Sequence, residues 1–168
     1  MSFKRKNYIC VMKKLTIEIP YEVYSFGELN EEDRNLVETA REATRKSYAP
    51  YSKFHVGAAA LLENGIVVTG TNQENVASPS GLCAERTALF YANSQYPDTA
   101  VKALAIAACH ADGSMNHAPI SPCGACRQVM LETENRFGQP MRILLCGEEE
   151  VYVIESVKHL LPLCFEEY

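Results

Sequence analysis

Apolar and polar positions divide the chain into alternating helical and extended stretches. Leu36, Val37, Ala40 and Ala43 recur at three- and four-residue spacing, which marks one apolar helix face. Asn30 precedes Glu31, Glu32 and Asp33, so it can cap this helix, and the acidic first turn suits the positive end of the helix dipole. The helix is expected to end near Tyr48, because Pro50 disfavours helical conformation at the residue before it. Residues 54–62 and 66–70 are apolar and partly β-branched. Glu63-Asn64-Gly65 separates them, and its Asn-Gly pair predicts a β-hairpin.

After a loop over residues 71–81, the run 83–92 is rich in Ala and Leu and predicts a second helix. Residues 101–109 predict an apolar strand. Ser121-Pro122 offers an N-cap followed by proline at the first helical position, so a third helix is expected to open there, carry Val129, Met130 and Leu131, and stop near Gly138. Residues 141–146 and 151–154 complete the pattern as strands. The order α, β, β, α, β, α, β, β predicts an α/β fold in three layers, α/β/α, with a mixed sheet of about five strands and helices on both faces.

A chain of 168 residues suits one domain, since at this size roughly 70% of the unfolded surface is buried on folding. The 47% apolar share is spread over short runs, so no membrane partner is expected. A net charge of -5 argues against a nucleic-acid partner, because phosphate backbones are held by Lys and Arg; a small molecule fits better. Residues 1–14 carry Lys4, Arg5 and Lys6, but the apolar run 8–12 is shorter than the core of an export signal, which points to the cytoplasm. In that reducing compartment seven cysteines read as thiols or metal ligands rather than a disulfide framework. Met12 opens the sequence MKKLTIEIP, so residues 1–11 are expected to be a dispensable extension and residues 12–168 the single domain.

Cys123-Gly124-Ala125-Cys126 is a C-x-x-C, and on the opening turn of a helix both sulfurs can reach one tetrahedral ion. By itself this pair also suits a redox couple or two small buried apolar residues. Cys83, which opens another predicted helix, favours the metal reading: two converging helix starts would bring three thiolates to a positive dipole end. Three protein ligands leave a fourth position for water, the arrangement of a catalytic zinc ion rather than a structural one. His110 and His117 fall in a loop and read as surface residues. Glu85, two positions after Cys83, would be turned about 200° away on a regular helix and is a poor ligand, yet it can line the same pocket as a proton shuttle. Without the cysteines it would be an ordinary acid in a first helical turn. Three thiolates on Zn²⁺ leave a net negative centre. Arg86 is placed to offset it by donating to thiolate sulfur, and Arg127 shares the role more weakly; each could equally be a surface arginine.

C-x-E followed by P-C-x-x-C resembles the signature of the zinc deaminases. The blocks AP-YSKFHVGAA (49–59), GTNQEN (70–75), GLCAERTAL (81–89) and SPCGACRQV (121–129) closely resemble the small homotetrameric cytidine deaminases over nearly all of residues 30–168. The resemblance implies that Phe54 packs on the pyrimidine and that Asn72 with Glu74 binds the ribose hydroxyls. It also implies that the backbone at Ala84 and Ser121 contacts the base, that Val56 lines the pocket and that Phe165 closes a neighbouring subunit's pocket. An aromatic face suits a planar ring, and hydroxyls need both donors and acceptors. From the residues alone, Phe54 and Val56 could be hairpin core and Asn72 and Glu74 turn residues. The chain departs from the family pattern at Ala77-Ser78-Pro79, where an aromatic residue is common, at His55, where proline is frequent, and in its acidic tail Glu166-Glu167-Tyr168.

The function expected is hydrolytic deamination of cytidine and deoxycytidine in pyrimidine salvage, with zinc as cofactor and a homotetramer sharing its active sites. The alternatives are a deaminase of another cytosine compound, such as blasticidin S, and a module that uses zinc only to fold. A fourth protein ligand would favour that last reading.

Overall fold

The computed structural model describes residues 13–166; the extension expected at residues 1–11 lies outside the described residues. Nine regular elements run in the order β1 (Glu22–Ser25), α1 (Glu31–Ala43), β2 (His55–Leu62), β3 (Val67–Thr71), α2 (Ala84–Gln95), β4 (Val101–Cys109), α3 (Gly124–Phe137), β5 (Arg142–Cys146) and β6 (Glu150–Ile154). Asn30 caps α1 as its chemistry predicts, accepting a hydrogen bond from the Asp33 amide at 2.8 Å. A short 3₁₀ turn at Thr44–Lys46 follows α1, so the chain leaves helical geometry just before the expected limit. Gly65 takes φ +82° in the β2–β3 turn, a conformation glycine adopts without strain.

The strands form one six-stranded sheet in the order β1-β6-β5-β4-β2-β3. β4 and β5 pair parallel because α3 connects them by a crossover; the other neighbours are antiparallel. The sheet therefore has one strand more than expected. β1 is four residues long, exposed along most of its length and lacks an apolar run, so it forms by pairing on β6 rather than from its own pattern.

Side-chain alternation divides the core into two layers. Ala59, Leu61, Ala103, Ala105, Leu144 and Val151 pack with Leu36, Val37 and Ala40 of α1, while Ala60, Leu62, Leu104, Ile106, Ile143 and Leu145 pack with Leu89 of α2 and with Met130 and Leu131 of α3. β4, covered on both faces, is accordingly almost continuously apolar. Two glycines bring the helices close. A Cβ at Gly57 would lie 2.3 Å from the Ala40 carbonyl oxygen of α1, and one at Gly70 would lie 2.3 Å from the Ala88 amide and 2.4 Å from the Ala84 carbonyl oxygen of α2. Gly70 thus sets how deeply the first turn of α2 sits on the sheet.

The third helix starts later than its sequence predicts. Cys123, with ψ 157°, is the N-cap of α3, and Ser121 and Pro122 precede the helix. The Pro122 carbonyl accepts from Arg127 Nε at 2.9 Å, while the Cys123 carbonyl accepts from the Arg127 amide at 3.0 Å and so opens the helical ladder. The C-terminus is as expected, with Gly138 in the left-handed conformation at φ +65°. No helix among the described residues is long and apolar enough to cross a membrane.

Candidate active site

α2 and α3 lie on the same face of the sheet, and each begins at a cysteine N-cap, Cys83 and Cys123. An N-cap side chain folds back over the first turn toward the third helical residue, and in α3 that residue is Cys126. The C-x-x-C spacing thereby puts both sulfurs on one side of the turn. The sulfurs of Cys83, Cys123 and Cys126 all lie within 4.8 Å of one another. Tetrahedral zinc with Zn–S distances of about 2.3 Å requires sulfurs about 3.8 Å apart, so small side-chain rotations suit the trio to zinc. Among the described residues no fourth Cys, His, Asp or Glu joins the group, which matches the three-ligand pattern of catalytic zinc and not the four-ligand structural one.

Of the three thiols, Cys83 is the one that its surroundings lower. The interaction with Cys126 first, and then the hydrogen bond and positive charge of the Arg86 guanidinium, lower the Cys83 thiol to about 5. Cys126 is pushed up by sharing its proton with Cys83 and then by burial, and Cys123 by burial and then by the Cys83 charge. Three thiolates with one divalent ion would carry a net charge of -1, and binding would release the protons the thiols still hold. Arg86 Nη2 lies 3.7 Å from Cys83 Sγ, so the donor role expected of Arg86 has its geometry. Arg127 does not share it. Its Nε donates to the Pro122 carbonyl and its Nη1 to the Leu160 carbonyl at 2.6 Å, committing the guanidinium to backbone oxygens that shape the α3 entry and the C-terminal turn.

Glu85 is the second residue of α2 and is only 4% exposed. The 200° offset expected for it does not apply, because Cys83 caps the helix from outside and its side chain is not on the helical wheel. Glu85 and Cys83 line the same cavity. Burial pushes the Glu85 carboxyl above its ordinary value, and the negative charge at Cys83 adds to the effect.

That cavity measures about 890 Å³ and is also walled by Phe54, Val56, Asn72, Glu74, Ala84, Ser121 and Cys123, so residues that the sequence placed on four separate segments converge here. Phe54 just precedes β2 and meets the His110 ring edge-on, with centroids 6.0 Å apart. Asn72 Oδ1 accepts from the Val56 amide at 2.8 Å, and its Nδ2 donates to the Phe54 carbonyl at 2.9 Å. Glu74 accepts from the Tyr51 amide at 2.8 Å and from the Ser52 amide. Bonding to Ser52 and then to the Tyr51 amide holds its carboxyl below the ordinary range. Ser78 lines the cavity where the resemblance leads one to expect an aromatic ring. Phe165 does not line it: the residue is 60% exposed, and its backbone carbonyl accepts from Gln128 Nε2 of α3 at 3.0 Å. The Tyr51 and Ser52 amides were not legible as site groups, since a backbone donor leaves no mark in residue type.

Residues 30–137 match the cytidine and deoxycytidylate deaminase zinc-binding region. The cytidine deaminase of Sporosarcina psychrophila is 46% identical over 97 residues, which are 58% of this chain and 66% of that protein, just under two thirds of its length. The probable cytidine deaminase of Dictyostelium discoideum is 35% identical over 138 residues, 82% of this chain and 86% of that one. Among solved structures, cytidine deaminase from Burkholderia pseudomallei superposes with a TM-score of 0.64 at 40% identity, covering 78% of this chain and 97% of its own. The Mycobacterium tuberculosis enzyme gives 0.62 at 35% identity, covering 81% and 98%. Sequence, fold and the paired cysteine-capped helix starts agree, and the chain belongs to the cytidine and deoxycytidylate deaminase family.

Proposed function

We propose that this protein hydrolyses cytidine and deoxycytidine to uridine and deoxyuridine, releasing ammonia. The observation that carries this reading is a buried carboxylate, Glu85, lining one cavity with Cys83 of a three-sulfur group that has no fourth protein ligand among the described residues. Cys83, Cys123 and Cys126 would hold zinc, which when bound would supply a water of lowered pKa at neutral pH. Glu85 takes a proton from the attacking water, delivers it to the ring nitrogen beside the attacked carbon, and passes a proton to the amine as it departs. Water and cytidine are consumed, uridine and ammonia are formed, and the carboxyl returns to its starting state. A carboxyl raised by burial suits this cycle, because it must hold a proton between two transfers.

Phe54 and Val56 give the base an apolar seat, the backbone at Ala84 and Ser121 meets its polar edge, and Asn72 with Glu74 takes the sugar hydroxyls. Arg86 offsets the charge of the thiolates. Phe165, exposed on the tail, reaches a neighbouring copy in a homotetramer with shared sites. The same reading makes residues 12–168 one catalytic domain with residues 1–11 dispensable, and places the enzyme in cytoplasmic pyrimidine salvage. The relatives named cytidine deaminase support the nucleoside over other cytosine compounds.

Uridine formation from cytidine, followed by the loss of ultraviolet absorbance, tests the activity; no conversion by zinc-loaded protein overturns it. Light scattering tests the assembly, and a fully active monomer at micromolar concentration removes the shared site.

A further inference from the structure

Asn72 is held from behind by two side chains that do not line the cavity. Ser47 Oγ donates to Asn72 Oδ1, and His55 Nδ1 lies 3.2 Å from the same Ser47 oxygen. Oδ1 can only accept, so the single hydroxyl proton of Ser47 is directed at Asn72. His55 Nδ1 must then carry its own proton and donate to Ser47. The Val56 amide and the Phe54 carbonyl already fix which way the carboxamide faces. With Ser47 added, both lone pairs of Oδ1 are occupied and one of the two N–H groups is used. Asn72, which does line the cavity, is left with a single N–H to offer.

We propose that His55 and Ser47 are positioning residues that make Asn72 a donor-only contact for a sugar hydroxyl, so that the hydroxyl must give its own proton to Glu74. This deepens the nucleoside reading above and rests on it. Glu74 fits its part: it offers only acceptors, it is held as a carboxylate by Ser52 and the Tyr51 amide, and the charge of nearby His55 acts in the same direction. Without Ser47, one Oδ1 lone pair would be free to accept from a hydroxyl or a water, and the carboxamide would lose one of its three restraints. The hydrogen-bonded relay from His55 through Ser47 ends at Asn72, which meets the cavity, so its effect should appear in sugar recognition and not in the chemistry at Glu85.

The experiment compares Ser47→Ala, His55→Ala and His55→Asn, the last because an asparagine amide can stand near the place of the imidazole Nδ1. With cytidine, Ser47→Ala and His55→Ala should raise KM about three- to tenfold, the loss of one hydrogen bond, with kcat within about twofold of the parent. His55→Asn should recover most of the loss. With 2′,3′-dideoxycytidine, which lacks the 2′- and 3′-hydroxyls and keeps only the 5′-hydroxyl, parent and variants should have the same KM. A KM change of equal size on both substrates, or a fall in kcat alone, overturns the proposal. The Asn72 side-chain NH₂ signals in ¹⁵N spectra read the relay without turnover: they should shift and exchange faster with water in Ser47→Ala and His55→Ala. Unchanged signals overturn the relay even where cytidine is converted. A parent that converts no cytidine while its Asn72 signals respond overturns the nucleoside reading instead, and the assignment of the hydroxyl falls with it.

Discussion

Arg86 Nη2 stands 3.7 Å from Cys83 Sγ, three positions along from the cysteine that caps its own helix. The contact joins the cation to the one thiol of the three that is lowered. Cys126 lowers Cys83 most and Arg86 next, so removing Arg86 raises the Cys83 thiol toward its ordinary value. A thiol with a higher pKa lets protons compete better with a metal, so zinc should be released at a higher pH in Arg86→Gln than in the parent. Zinc remaining after dialysis at a series of pH values between about 4 and 8 measures this. Equal release curves would show that Arg86 has no hold on the thiolate.

Cys83→Ala, Cys123→Ala and Cys126→Ala should each lose zinc, because two thiolates make a poor tetrahedral site. Metal content of the purified variants checks it, and a full complement in any one removes that residue from the site. Cys126 is fully buried while Cys123 is exposed, so Cys126→Ala should also lower the melting temperature more than Cys123→Ala does.

Much of this site was readable because its chemistry lies in residue types at fixed spacing. The cysteine caps, Glu85 and Arg86 occupy the first turns of α2 and α3, where three-residue offsets bring side chains together. Helix caps and the hairpin turn were equally legible, since Asn30, Gly65 and Gly138 perform local tasks that few residues can. β1 was not, because a short exposed edge strand is specified by its partner β6 and not by its own pattern. The start of α3 was misplaced by two residues: Ser121-Pro122 meets the local rule for a helix start, but the chain stays extended until the Cys123 carbonyl receives the Arg127 amide. Arg127 was misassigned for a related reason, its partners being backbone carbonyls that no spacing reveals.

Gly70→Ala tests whether the sheet sets the position of the site. The added methyl would meet backbone atoms of Ala84 and Ala88, which cannot swing away as a side chain can. The cost should be at least about 1–3 kcal/mol, lowering the melting temperature by roughly 2–12 °C. Gly57→Ala makes the equivalent clash with Ala40 of α1, on the far side of the sheet, and should cost a similar amount. The two should differ in zinc affinity: displacing α2 moves Cys83 against Cys123 and Cys126, whereas displacing α1 does not. Competition with a chromogenic chelator should show weaker zinc binding in Gly70→Ala alone. Equal affinities in both variants would mean that the site tolerates movement of α2.

Glu85→Gln separates a catalytic zinc site from a structural one, because Glu85 is assigned to moving protons and not to holding the metal. Zinc content should match the parent. Turnover should fall by at least the roughly 10²- to 10⁴-fold of a single general acid–base group, since the carboxyl is used in more than one transfer. Stability should move the other way. Glu85 is 4% exposed and its carboxyl is raised, first by burial and then by the Cys83 charge. An acid whose folded pKa lies above its unfolded value favours the folded state at low pH and loses that contribution as pH rises from the unfolded value through the folded one. Glutamine keeps the shape and never ionises, so the melting temperature of Glu85→Gln should gain on the parent as pH is raised from about 4 to about 8. The stability comparison is made on zinc-free protein, where burial and the Cys83 charge are the causes of the shift. A variant that keeps zinc, gains stability with pH and no longer converts cytidine fits a carboxylate kept buried for its chemistry. Conversion at the parent rate would remove Glu85 from the mechanism, and loss of zinc would make it a ligand.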